Sequence, residues 1–530
     1  MLRCVSQQSL YPFTELLQAL FDAVFCYFPI TFRPPPDDPY GITAQDLKQR
    51  LRECIASSGH FAPYAFPQLL DKLDSTSANV KRDVMQTITS CALSYGIETT
   101  YNYSNTLWDS LKFEILNVQE EDLAAEALKA LQAIATRLSR GLESTDPKSP
   151  LATYLRPIIK ECNERLQEPQ HKQAKPAGEI LSIVGIASPV VFQTIIKSTL
   201  PSLSTLYQAA ESVLEQRALL EVLVQLLDSA LAVYGTLAMP APETHIENPL
   251  LPFKDRMFEW ISQALMSTAI DEVSFRIVAL KALLRLSLLR KYLEENEVGM
   301  VVQYLDEIIL SEDPMGRDDL KKEAIQALVE ISRVKPDLIM NVTFPAFMAR
   351  LPESSPSGRY EYLITLEGLA QLSVDKFVAD TLIRRLLNRL DVVFHAGGSP
   401  AYPQAIISTL HYILARRDLR SDSNLQVYLE RIVVGLTQKA VQSCSGTASL
   451  PTLSDVTTLE RLARLNKLII QAVDEHKQRS VALQSYSLFI DDGSFSPIPF
   501  RQRITSSEKA TLILSTAIIA GVPSTVRSSH

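Results

Sequence analysis

An all-α fold of stacked helical hairpins is what this chain predicts, and three observations carry the prediction. Glycine is scarce, 17 of 530 residues, while 46% of the residues are apolar. All-β and dinucleotide-binding folds need more glycine in their turns. Apolar residues recur at spacings of three and four, the period of a helix with one buried stripe. One plan, a helix, a polar turn and a second helix, also returns along the chain with drift. A chain of this length is too long for a single core. Repetition resolves that difficulty, because each helical pair leaves one face bare and buries it on the next.

Taken in order, Leu10 to Tyr27 reads as one amphipathic helix with Leu16, Leu17, Leu20, Phe21, Val24 and Phe25 on one broad face. Helical pattern stops at Phe28 to Gly41 (FPITFRPPPDDPYG), which holds five of the thirty prolines. Each proline fixes its own φ, removes a backbone donor and pushes its predecessor toward extended geometry. The chain therefore crosses here as an extended strap. Its anchors Phe28, Ile30, Phe32 and Tyr40 alternate with polar positions and prolines and are expected to lie on neighbouring helices. A proline-rich linker is the plainer reading, and the number of large apolar residues argues against it. Thr43 is placed as the N-cap of a helix running from near Ala44 to about Ser57, with Asp46 in a variant capping box.

The repeating unit follows. Phe66–Leu73, opened by Pro67, and Val80–Tyr95, stopped by Gly96 as a left-handed cap, flank a polar turn. The plan returns in Leu107–Leu138, Leu200–Tyr234, Arg256–Leu293 and Val301–Val334, then in Pro345–Phe394, Pro403–Val441 and Leu459–Ile490. Phe275, Val278, Ala279, Ala282, Leu283 and Leu286 fall on one face of a second helix, and Leu320, Ala324, Ala327, Leu328 and Ile331 on one face of another. Alanine in these stripes lets neighbouring helices approach closely. A period of roughly 40 residues with two helices per unit is the signature of HEAT and armadillo arrays. Loops are expected at Ser144–Pro150, Pro169–Gly178, Met239–Pro249, Pro352–Gly358, Ala396–Pro403 and Ser443–Ser454. Four regions result: 1–150 with the strap and first repeats, 151–250 and 251–490 with further repeats, and 491–530 with an extended segment, an apolar helix (Glu508–Gly521) and a polar tail.

Composition also bounds function. A formal charge of −8 argues against general binding to phosphate backbones. The six cysteines are scattered, none in C-x-x-C, and no histidine pair has zinc spacing, so they read as reduced, mostly buried thiols. The most apolar late run, Ala510–Val522, is shorter than the roughly 20 residues a bilayer demands, and no secretory signal opens the chain. No nucleophile elbow, phosphate loop, H-E-x-x-H or dinucleotide glycine pattern is present. No catalytic, cofactor-binding or metal-ligating residue is nominated, and the protein is expected not to be an enzyme. Asp37-Asp38 reads as turn chemistry or a partner contact, since adjacent carboxylates diverge and no base accompanies them. Gly397-Gly398 reads as a turn. Two basic groups stand out, Arg384, Arg385 and Arg389 on one helix and Arg416, Arg417 and Arg420 closing another. A solvated face near a helix C-terminus explains them, and a surface for an acidic partner is the alternative.

CYFPITFRPPPDDPYGIT (Cys26–Thr43), followed by LKQRLRECIASSGHFAPYAFPQLLDKLDS (Leu47–Ser75) and SCALSYG (Ser90–Gly96), resembles the Mms-nineteen (Met-eighteen) family of HEAT-repeat proteins. The likeness continues through FKDRMFEWISQALM (Phe253–Met266) and SFSPIPF…EKATLILSTAIIAGV near the end. It covers most of the chain in order. The resemblance marks Phe28, Pro29, Ile30, Phe32, Pro35, Pro36, Asp38, Pro39 and Gly41 as a family strap with a structural or partner-binding part. It implies a non-catalytic adaptor that presents apo iron–sulfur clients to the late factors of cytosolic iron–sulfur assembly. Implied clients are helicases of transcription factor IIH, DNA polymerases and primase, with effects on excision repair and transcription in cytoplasm and nucleus. It implies no cofactor, no direct nucleic-acid contact and no membrane. Family members carry repeats before the strap and further HEAT repeats at the end, so this chain is expected to be a piece lacking both ends. A nuclear transport receptor or phosphatase-type scaffold, also acidic and HEAT-built, is the alternative, and an enzyme with an unrecognised site ranks last.

Overall fold

Helices begin in this protein where a short polar side chain can take the first free N–H groups. Ser149, Ser188 and Ser212 accept from the backbone N–H of Ala152, Val191 and Glu215, and proline follows the first two serines as the opening helical residue. Thr43 does the same at the expected place. Its hydroxyl accepts from the Asp46 N–H at 3.1 Å while the Asp46 carboxylate accepts from the Thr43 N–H at 2.9 Å, a complete capping box.

The computed structural model describes residues 16–32, 41–117, 120–142, 146–266, 273–311, 318–356, 361–445, 450–453, 455–474 and 478. The described residues are helical and contain no strand, with isolated bridges pairing Gly235 with Pro240 and Thr236 with Leu289. The chain divides into two compact units, Met1–Glu294 and Glu295–His530. Each is a stack of HEAT-type helical hairpins.

In the first unit the described pairs are α1 (Leu17–Phe25) with α2 (Ala44–Ile55), α3 (Ala62–Leu73) with α4 (Ala78–Ser94), and α5 (Ile97–Leu116) with α6 (Glu121–Leu138). They continue as α7 (Pro150–Leu166) with α8 (Ala174–Gly185), α9 (Pro189–Ala209) with α10 (Val213–Tyr234), and α11 (Lys254–Met266) with α12 (Val273–Leu288). Even-numbered helices pack in succession as one layer, from α2 to α12, and α3, α5, α7 and α9 pack as a second. Tyr207 of α9 stacks on Trp260 of α11 with ring centroids 4.8 Å apart. Small residues set the layer spacing. Ala127 and Ala130 of α6 are fully buried, and a side chain added at Gly178 of α8 would stand 3.1 Å from a Val222 methyl of α10.

In the second unit α13 (Glu295–Leu310) pairs with α14 (Asp318–Ser332), and a broken helix, α15 (Pro336–Asn341) and α16 (Thr343–Arg350), pairs with α17 (Glu361–Leu372). Then come α18 (Lys376–Ala396) with α19 (Ala401–Ala415), and α20 (Leu425–Tyr428) running through a π-helical stretch, Leu429–Leu436, into α21 (Thr437–Ser445) and paired with α22 (Val456–Gln471). Here α14, α17, α19 and α22 form the successive layer. The break at Val342 precedes Pro345, which has no N–H to give to the Asn341 carbonyl.

Both predicted stripes are core. Phe275, Val278, Ala279, Ala282, Leu283 and Leu286 are buried, as are Leu320, Ala324, Ala327, Leu328 and Ile331. Several boundaries differ from expectation. Pro67 lies inside α3, which starts at Ala62 with Pro63 in the first turn. Gly96 is not a left-handed stop: its φ is −65°, and it caps the start of α5. That helix begins at Ile97, ahead of the expected Leu107, because its first turns are polar and β-branched yet still packed, with Thr100 and Ser104 buried. The stretch expected as a loop at Pro169–Gly178 becomes helix from Ala174. The Asp37-Asp38 pair, the strap's middle at 33–40, the SFSPIPF segment and the helix expected at Glu508–Gly521 lie outside the described residues.

Candidate protein-binding surfaces

The strap is anchored by a run of rings. Phe28 stacks on Phe25 at 5.2 Å, Phe25 on Phe21 at 5.1 Å, and Phe21 meets Phe61 and Tyr64, each at 6.0 Å. Phe21 and Phe25 are buried, which ties the strap's start to α1 and to the entry of α3. Pro29 and Ile30 are half-buried, and Phe32 is exposed. Gly41 closes the strap with φ +60°, a left-handed conformation that favours glycine, just before the Thr43 cap. Thr43 bonds also hold the Asp46 carboxyl below its usual range. Pro35, Pro36, Asp38 and Pro39 are outside the described residues.

One arginine of each group reaches Asp380, Arg384 through its backbone carbonyl and Arg417 through its carboxylate. Arg384 and Arg385 are exposed on α18, Arg384 donating to the Asp380 carbonyl at 3.3 Å. Arg389 is half-buried and donates to the Pro352 carbonyl at 3.5 Å. Arg416 lies over the Tyr412 ring, 5.1 Å from its centroid, and donates to the Tyr412 hydroxyl at 2.6 Å. Arg420 is exposed in a short 3₁₀ turn. Arg417 turns inward. It pairs with Asp380 at 2.6 Å and Asp422 at 3.0 Å, while Asn424 and Tyr428 also donate to Asp380. Burial is the largest single influence on the Arg417 guanidinium and would lower it, but the Asp380 bond and the charges of Tyr428, Asp380 and Asp422 together outweigh it and hold the group above its usual value. The Asp380 cluster thus joins α18 to the chain following α19, and Arg417 is an internal tie.

Sequence reading missed a buried carboxylate at Asp306, in the core stripe of α13 between Val302 and Ile309. It is 4% exposed, and neither oxygen has a hydrogen-bond partner. Burial pushes this carboxyl up to about 7. The nearby Thr343 hydroxyl works in the opposite direction without reaching bonding geometry, and the Glu307 charge adds to the rise. A charged residue at an apolar position of a helical stripe was the signal that could have found it. Asp306 sits at the edge of a cleft of about 480 Å³ between α13 and the α15–α16 break. A second cleft, of about 500 Å³, opens between α17, α19 and α22 beside Tyr362, Gln404, Tyr412 and Arg461. In the first unit a cleft of about 770 Å³ runs between α7 and α9.

Among the described residues no three His, Cys, Asp or Glu side chains converge as metal ligands, and no helix is long and apolar enough to cross a membrane. Cys91 and Cys162 are buried free thiols, and burial pushes Cys91 up to about 12.

Two family models match the chain. Residues 1–117 match the N-terminal MMS19 model, described as Dos2-interacting transcription regulator of RNA-Pol-II, and residues 365–530 match the C-terminal one, RNAPII transcription regulator C-terminal. The chain is 25% identical to the DNA repair/transcription protein mms19 of Schizosaccharomyces pombe, over 96% of this chain and 49% of the relative. It is 27% identical to the MMS19 nucleotide excision repair protein homolog of Xenopus laevis, over 91% and 47%. It is 25% identical to the homolog of the same name from Homo sapiens, over 98% and 51%. The chain spans about half the length of each of these relatives. Among solved structures, Kap121p bound to RanGTP is similar with a TM-score of 0.42 at 14% identity, over 97% of this chain and 45% of that one.

Proposed function

This chain belongs to the MMS19 family, and from that premise we propose that it is a non-catalytic scaffold in DNA repair and transcription. In this reading it presents apo iron–sulfur clients to the cytosolic iron–sulfur assembly machinery, in cytoplasm and nucleus. Its clients are repair, replication and transcription helicases, polymerases and primase. The observation that supports it is the family match at both ends of the chain, 1–117 and 365–530.

Stacked helical pairs suit the task. Contacts stay local to neighbouring pairs, so the grooves between them can differ from one another without disturbing a shared centre. The exposed Phe32 of the strap and the exposed Arg384 and Arg385 are candidate contact points. Affinity capture of the full-length gene product from cells is expected to recover late cluster-assembly factors together with helicase clients. Recovery of neither, or of the Ran GTPase or a phosphatase catalytic subunit in their place, contradicts the reading.

A further inference from the structure

The cleft between α7 and α9 carries charge that the surrounding fold does not absorb. Arg156 and Lys160 stand one turn apart on α7, and Lys197 lies on α9, so three cations line it against one carboxylate, Glu164. Arg156 gives one guanidinium N–H to the Pro147 carbonyl at 3.2 Å, leaving its other donors. Lys160 is 74% exposed and 3.9 Å from Glu164, a loose surface pair that holds little. No ion pair engages Lys197 among the described residues. Leu155 and Ile159 form an apolar floor. Within the same cleft the Asn163 side-chain oxygen is shut off from solvent and accepts no hydrogen bond.

We propose that the α7–α9 cleft binds an extended acidic segment of a protein partner. Its carboxylates would meet Arg156, Lys160 and Lys197, and its aliphatic stems would lie against the small exposed edge of Ile159. The volume, about 770 Å³, falls in the range of about 300–1,000 Å³ typical of ligand pockets, which suits a few residues of extended chain. A polyphosphate strand fits less well, because Glu164 sits in the cleft and the whole chain carries −8. The inference rests on the scaffold reading only in taking the partner to be a protein.

The test uses the purified whole chain and a fluorescent six-residue Glu/Asp peptide, with its Gln/Asn twin as control. Fluorescence anisotropy should show the acidic peptide binding at least about tenfold more tightly than the twin, with affinity falling as salt rises. Arg156→Glu with Lys197→Glu should remove about tenfold or more of that affinity while the unfolding midpoint stays in place, since both side chains are exposed. Lys197→Arg should retain binding. Equal binding of the two peptides, or indifference to the charge reversal, overturns the proposal. So does a single-stranded oligonucleotide of equal charge that binds more tightly and displaces the peptide. If cellular capture of assembly factors fails while peptide binding holds, the functional reading falls and this one stands. The reverse result overturns this one alone.

Discussion

Asp83 in the first unit and Asp306 in the second face the same physical problem with different outcomes. Asp83 on α4 is 7% exposed, and Lys48 of α2 brings its ammonium to 2.7 Å. Asp306 on α13 is 4% exposed, and nothing bonds to either oxygen. The first unit repeats its solution at one step after another. Lys81 meets Glu114 at 2.6 Å, Lys112 meets Glu161 at 2.9 Å with the Trp108 indole also donating to it, and Arg285 meets Asp228 at 2.6 Å. The second unit gathers its pairs around α18, where Asp380 holds Arg417 and Asp391 holds Lys439 at 2.6 Å. A half-buried charge with a partner fixes how one helical pair sits on the next. A buried charge without one makes its seam depend on protonation.

The strongest way to break the comparison is to create an unmatched carboxylate in the first unit. Ala279 is fully buried in the α12 stripe, so Ala279→Asp should cost on the order of several kcal/mol and lower the thermal unfolding midpoint steeply. An unchanged midpoint would show that this face is not core. Asp306→Asn should do the opposite. The folded carboxyl is raised from an ordinary 3.8 to about 7. The wild-type contribution is therefore fully present below about 4 and is lost as pH rises through about 7. Chemical denaturation should show variant and wild type alike in acid, with the variant gaining up to roughly 4 kcal/mol above neutrality. A gain that shrinks with rising pH contradicts the assignment.

Lys48→Met should strand Asp83 at a cost of roughly 2 kcal/mol, since the lysine remains partly solvated. Asp83→Asn on that background should return much of the loss, as a double-mutant cycle would reveal. Thr43→Ala removes one side of the capping box, and its cost of about 1 kcal/mol or less should be the smallest of the set. Circular dichroism melts are sensitive enough to rank it.

These residues also show what was legible in the sequence. The stripes of α12 and α14 and the Thr43 cap are local signals with a helical period, and they were readable. The start of α5 was not, because buried Thr100 and Ser104 look polar on paper while their hydroxyls sit among packed helices. Pro67 and Gly96 misled because a proline or glycine marks a boundary only in some backbone contexts. Charge partners across pairs leave no short motif. Lys112 and Glu161 are 49 residues apart and Arg285 and Asp228 are 57 apart, each pair joining one helical hairpin to the next. Opposite charges one repeat apart were the available signal. The α7–α9 cleft was invisible for the same reason, since Arg156 and Lys197 converge only when two successive pairs stack.

Hydrogen exchange read by mass spectrometry, corrected for intrinsic rates and run at pH values on either side of about 7, tests the account most directly. The prediction is that α13 and α16 lose protection on the alkaline side, that α4 and α6 keep theirs, and that Asp306→Asn abolishes the loss in α13 and α16. Protection that is unchanged in α13 and α16, or lost equally in both units, would contradict it.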